Sequence, residues 1–430
     1  MSPSPESAST HDGRSPHERE HALTLFPQAD ALLEHYKETG AGAHELEVMR
    51  DVLYSYLDRA VENMRIFRST SGLEFPYTSV SLQDLATAVF LAHGGTRTPT
   101  VPNEHHREKT TREFLMTGYP VTSQMGGPFE FAEMPIHTLV AQLPHALEAL
   151  KRGEDVADAS IYTLGYPTNE FGAIPAPALE AFKQDPIDAL GSAYEECIQQ
   201  ELERGKALGA EPEHVTLTGV STGASAAVNT ASKLVERGAL SQNVDAKPHL
   251  TVTLYAPVGI RNLNEGALRV PQMTAGFAGE IAYQSLTNPD ASSVVRQQSA
   301  FSEALKEKVA RRMPVQMNTE HAAAKRAALI ALGQALLTGA PVPSTIKVTE
   351  VIGLDDPLIY SKERKDGSLA RTKQMRIERG AFGPLQGKVL PRSAPNERVF
   401  GLPMSHTLPF YRTSEFSRFD RVVEAVDALS

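Results

Sequence analysis

The chain has 430 residues, 41% hydrophobic and 22% charged, enough to bury a sizeable core in one large domain or two. A net charge of −10 gives no ground for nucleic-acid binding, and the single cysteine, Cys197, excludes an intrachain disulfide. The N-terminus has no apolar signal region, and the longest apolar stretch, residues 327–337, is broken by Gly333 and Gln334 and is too short to span a bilayer, so a soluble, cytoplasmic protein is expected.

In chain order, residues 1–20 are rich in Ser, Pro, His and charge and read as a disordered tail. Residues 21–105 read as a helical N-terminal extension. Leu46, Met49, Leu53, Tyr56, Leu57, Val61 and Met64 recur at helical spacing, as do Leu82, Leu85, Val89 and Phe90, with a Gly/Ser-rich break at 69–72. From about residue 106 short β-like runs alternate with longer helical ones, which predicts a mostly parallel sheet with helices on both faces. The expected strands are 114–117, 160–164, 215–218, 250–255, 346–352 and 399–402. The expected helices are 136–152, 186–208, 221–237 and a last one near 416–429. Cys197 falls on the apolar face of the second of these and reads as a packed core thiol. Between residues 259 and 344 the alternation stops, and this insertion, with a helix at 322–337, is expected to form a lid over the strand ends where ligands bind in open α/β sheets.

One pentapeptide carries chemistry. Gly219-Val220-Ser221-Thr222-Gly223 stands between the β-favouring run 214–218 and an alanine-rich helical stretch. A serine at the apex of a strand–turn–helix exposes its hydroxyl, and the glycines permit the tight turn and close packing of helix on strand. A serine hydroxyl attacks a carbonyl only with a base beside it and an acid orienting that base. Candidates follow in order. The run 346–352 leads into Gly353-Leu354-Asp355-Asp356-Pro357, with Asp356 as the acid and Asp355 as its alternative, and Gly401-Leu402-Pro403-Met404-Ser405-His406 supplies His406 as the base after the last strand. The backbone N–H of Thr222 is one expected oxyanion donor. Gly-Tyr-Pro occurs twice after a strand, at 118–120 and 165–167, so the second donor is the N–H of Tyr119 or, alternatively, of Tyr166.

The elbow, the acid loop, the histidine loop and their order resemble the α/β-hydrolase superfamily over about residues 106–430. The resemblance implies a serine hydrolase cleaving an ester, thioester or related acyl bond through Ser221, His406 and Asp356. It implies a small, partly apolar acyl substrate, with no cofactor, metal, nucleic acid or stable membrane insertion. Two alternatives stay open: an acyltransferase with the same triad, or a non-catalytic scaffold whose N-terminal helices dock a partner. The residue before Gly118 is Thr117, where the family often has His. A basic run, Lys362 to Arg379, lies between acid and base and reads as a solvated loop.

Overall fold

The computed structural model describes residues 64–92, 95, 110–116, 139, 142–156, 158–168, 174–243, 245, 248–260, 319–353, 388–390 and 394–402. They build one nine-stranded sheet. Its strands are β1 (Arg65–Arg68), β2 (Glu74–Ser81), β3 (Thr111–Met116), β4 (Ala159–Leu164), β5 (His214–Val220), β6 (His249–Tyr255), β7 (Val348–Gly353), β8 (Lys388–Leu390) and β9 (Glu397–Leu402). The order across the sheet is β1-β2-β4-β3-β5-β6-β7-β9-β8. The six strands from β4 to β9 in that order run parallel, while β1–β2, β2–β4 and β8–β9 pair antiparallel.

Among the described residues six helices accompany the sheet: α1 (Leu82–Ala92), α2 (Leu143–Lys151), α3 (Ala176–Gln184), α4 (Pro186–Ala207), α5 (Gly223–Glu236) and α6 (Thr319–Thr338). Helix α1 packs on α2, whereas α3, α4, α5 and α6 pack on one another. The second group covers the larger core, where Phe114, Met116, Val215, Leu217, Leu250 and Leu254 of the sheet meet Tyr194, Ile198, Ala227, Leu234, Ala328 and Leu332 of the helices. Alternate residues of β3 and β5 therefore face opposite sides of the sheet. Local chemistry starts the long helix α4: Pro186 occupies its first turn, and the Asp185 carboxylate accepts the Asp188 N–H at 2.9 Å. Cys197 sits on its buried face, 1% exposed, and burial pushes its thiol well up. Gly191 lets α5 approach, because a Cβ there would overlap the Asn229 amide.

Two expectations are corrected. Within the segment 21–105, residues 65–81 are neither helical nor outside the main sheet. Residues 65–81 form the β1–β2 hairpin, with the expected break at 69–72 as its turn, and β2 pairs with β4 as part of the main sheet. Pro76 is tolerated in β2 because its carbonyl accepts the Gly165 N–H at 2.8 Å, while the Gly165 carbonyl, which a non-proline N–H could have bonded, takes the Tyr194 hydroxyl at 2.8 Å. The helix expected in a lid, α6, packs on α3 and α4 and buries Ala328, Leu332 and Leu336 in the main core. Of the lid span 259–344, residues 261–318 lie outside the described residues, as do 1–63 and the expected last helix. Helix α3 and the short strand β8 had no counterpart in the sequence reading. No helix among the described residues is long and apolar enough to cross a membrane.

Candidate active site

Ser221 opens the two-residue turn between β5 and α5, with φ at +52°. For a residue with a Cβ, the left-handed region costs about 1–2 kcal/mol. The conformation persists because every backbone polar group of Ser221 is engaged. Its N–H donates to the Tyr255 carbonyl at 2.8 Å, and its carbonyl accepts from Ala224 N–H at 3.1 Å and Val258 N–H at 2.9 Å. Ser221 and Thr222 remain partly exposed, while residues 223–228 behind them are buried.

The turn needs small residues on its inner side. A Cβ on Gly219 would lie 2.6 Å from the Ala224 Cα and 2.9 Å from both the Ala227 Cβ and the Gly223 carbonyl oxygen. Ala224, Ala226 and Ala227 are fully buried, so α5 starts in contact with its own strand. The positive end of the α5 dipole therefore lies beside Ser221, where negative charge would be favoured. Thr222 occupies the N-cap position, yet its side chain makes no capping bond.

Tyr166 reaches the elbow from the neighbouring turn. Its side chain is fully buried, and its hydroxyl stands 3.5 Å from Thr222 Oγ1, a long contact. Edge-on packing against Tyr194, with ring centroids 6.3 Å apart, holds the ring. Tyr119 lies outside the described residues. The strand before it, β3, is the direct neighbour of β5, with Met116 beside Gly219, whereas the strand before Tyr166, β4, is one place further out.

Asp355, Asp356 and His406 also lie outside the described residues, as does the basic run 362–379. The strands that precede them are adjacent and parallel: Gly353, the last residue of β7, is paired with Leu402, the last of β9. One strand, β6, separates β7 from the elbow strand β5.

Two acids, Glu113 half-buried and Glu350 buried, flank this region. Glu113 of β3 accepts a 2.5 Å hydrogen bond from the Thr218 hydroxyl, and desolvation pushes its carboxyl up. Glu350 of β7 is fully buried, and among the described residues neither carboxylate oxygen has a hydrogen-bond partner. Burial, and then the nearby Glu397, push its carboxyl up to about 8. Sequence reasoning missed Glu350, because an acid at one position of a strand reads as solvent-facing. It also missed the turn 255–259 that bonds Ser221, whose only marker is Gly259. No group of three or more His, Cys, Asp or Glu among the described residues could hold a metal ion.

The sheet order with its antiparallel first strands, the helices on both faces and the strained serine after β5 make this an α/β-hydrolase fold. No protein-family model matches the chain, and no curated protein does. Solved structures similar to it include a mutant of an epoxide hydrolase from Bacillus megaterium, at 12% identity over 84% of this chain and 100% of that one, with a TM-score of 0.36. They also include carboxyl esterase 2 from the mycorrhizal fungus Tuber melanosporum, at 11% identity, 85% and 86% coverage and a TM-score of 0.34. A third is the NocB thioesterase domain in covalent complex with a fluorophosphonate nocardicin G analog, at 14% identity, 75% and 97% coverage and a TM-score of 0.34.

Proposed function

We propose that the chain is a serine hydrolase that cleaves an ester, thioester or related acyl bond. The observation that carries this reading is the +52° φ of Ser221 in a fully bonded turn at a strand–helix junction. Strain of that kind at a partly exposed polar residue is kept where it serves a function. In this reading Ser221 Oγ attacks the acyl carbon. His406 takes the hydroxyl proton and returns it to the leaving group, and Asp356 holds the imidazole tautomer. The Thr222 N–H stabilises the tetrahedral oxyanion together with the N–H of Tyr119 or Tyr166. The start of α5 beside Ser221 supports that role electrostatically. Water activated by His406 then releases the acid and restores the free serine.

Covalent labelling with a fluorophosphonate probe tests this. Wild type is expected to label, and Ser221→Ala and His406→Ala are expected not to. Ser221→Ala should also lose turnover of an acyl ester by about 10⁴-fold or more while unfolding at the same temperature. Full turnover in that variant would overturn the assignment. Offering wild type an alcohol or amine acceptor beside water identifies the acceptor: free acid as the main product supports hydrolysis, and acylated acceptor supports the transferase alternative.

A further inference from the structure

Among the described residues, two that are not glycine have positive φ: Ser221 at +52° and Ala256 at +46°. They are joined by hydrogen bonds. The Ser221 N–H donates to the Tyr255 carbonyl at 2.8 Å, and the Val258 N–H donates to the Ser221 carbonyl at 2.9 Å. Two of the three backbone bonds that hold the strained serine thus come from one turn, residues 255–259. Strained residues persist only when their surroundings over-determine them, so the turn itself must be fixed.

It is fixed at three points. The Ala256 N–H donates to the Val351 carbonyl of β7 at 2.8 Å, and the Gly259 carbonyl accepts the Ala340 N–H at 2.9 Å. Between these, the Val258 carbonyl accepts the Ser225 hydroxyl at 2.9 Å. Ser225 is 5% exposed and stands one helical turn past the nucleophile on α5. Serines and threonines within helices commonly bond the carbonyl four residues back, as Thr230 does to Ala226 at 2.8 Å. Ser225 bonds the turn. Gly259, with φ at +82°, packs against that hydroxyl so closely that a Cβ there would collide with Ser225 Oγ and stand 2.8 Å from Leu336 Cδ2.

We propose that Ser225 is a positioning residue for the nucleophile: its hydroxyl holds Val258, and Val258 holds Ser221 in the strained conformation that aims its Oγ. Being buried, the Ser225 hydroxyl meets no substrate. Its effect falls on the chemical step and leaves binding alone. This inference rests on the serine-hydrolase reading and deepens it.

The test uses the full chain and the kinetics of fluorophosphonate labelling, which separate kinact from KI. Ser225→Ala is expected to lower kinact about tenfold with KI within about twofold of wild type. Ser225→Cys, which keeps a donor at the same place but a weaker and bulkier one, is expected to fall between them and serves if the alanine variant does not fold. Thr230→Ala removes an equally buried hydroxyl from the same helix. It is expected to lower the unfolding temperature without moving kinact. A Ser225→Ala or Ser225→Cys protein that loses thermal stability yet labels with wild-type kinact overturns the proposal, as does a change confined to KI. Failure of the hydrolase reading looks different: folded wild type itself does not label, which removes this proposal with it.

Discussion

A methyl group added at Gly219 has no room, because the atoms it would meet include the Ala224 Cα and the Gly223 carbonyl oxygen, which belong to backbone. Gly219→Ala is therefore expected to cost about 1–3 kcal/mol, read as a lowered urea midpoint, and to slow labelling of Ser221 as the elbow shifts. Gly238 ends α5 with φ at +68° and nothing within 4 Å of its missing Cβ, so Gly238→Ala meets only the left-handed strain, about 1 kcal/mol, and should leave labelling unchanged. At this scale the sequence was informative where conformation demands a residue type. Two glycines around a serine announce a tight turn. An alanine at +46° announces nothing, since its side chain carries no mark of its backbone. Ser225 was likewise invisible, because a serine hydroxyl in a helix has a local partner available and only the fold reveals the distant one.

Among the elements, the parallel strands were legible because they are short apolar runs between helical periods, and their observed bounds differ from expectation by few residues. The β1–β2 hairpin was not, because Pro76 interrupts β2 and the flanking segments carry helical spacing; its place depends on Tyr194 satisfying a carbonyl 29 residues away. Helix α6 was misassigned for a different reason. Its apolar residues are spread around the axis, which fits a lid as well as a core layer, and only packing distinguishes them. Truncation separates the two roles. Leu332 is 2% exposed and Ile330 58%. Leu332→Ala is expected to cost about 2–5 kcal/mol and Ile330→Ala about 0.5 or less, measured by urea unfolding. Similar small losses at both would mean that α6 lies on the surface.

For the molecule as a whole, Glu350 makes stability depend on pH. In the folded protein its carboxyl keeps its proton to about pH 8, while in the unfolded chain it titrates near the ordinary value of 4.5. The unfolded state therefore binds fewer protons between these values, and stability falls as pH rises through that window and levels off above it. The ceiling on the loss is roughly 5 kcal/mol. Glu350→Gln abolishes this slope. Relative to wild type the variant should gain stability from about pH 5 to about pH 8 and hold the gain at pH 9, by urea unfolding at each pH. A constant difference would mean that the carboxyl is ionised in the native state. The sheet order has a consequence of another kind, in the timing of synthesis. Strand β3 is made early but lies between β4 and β5, so both its edges stay open until residues 159–164 and 214–220 have been added. At the usual pace of translation, closing the second edge takes roughly 5–20 s. During that interval the apolar run Phe114-Leu115-Met116 is a naked strand leaving the ribosome, and the strand that finally shields it is the one that carries Ser221 at its end.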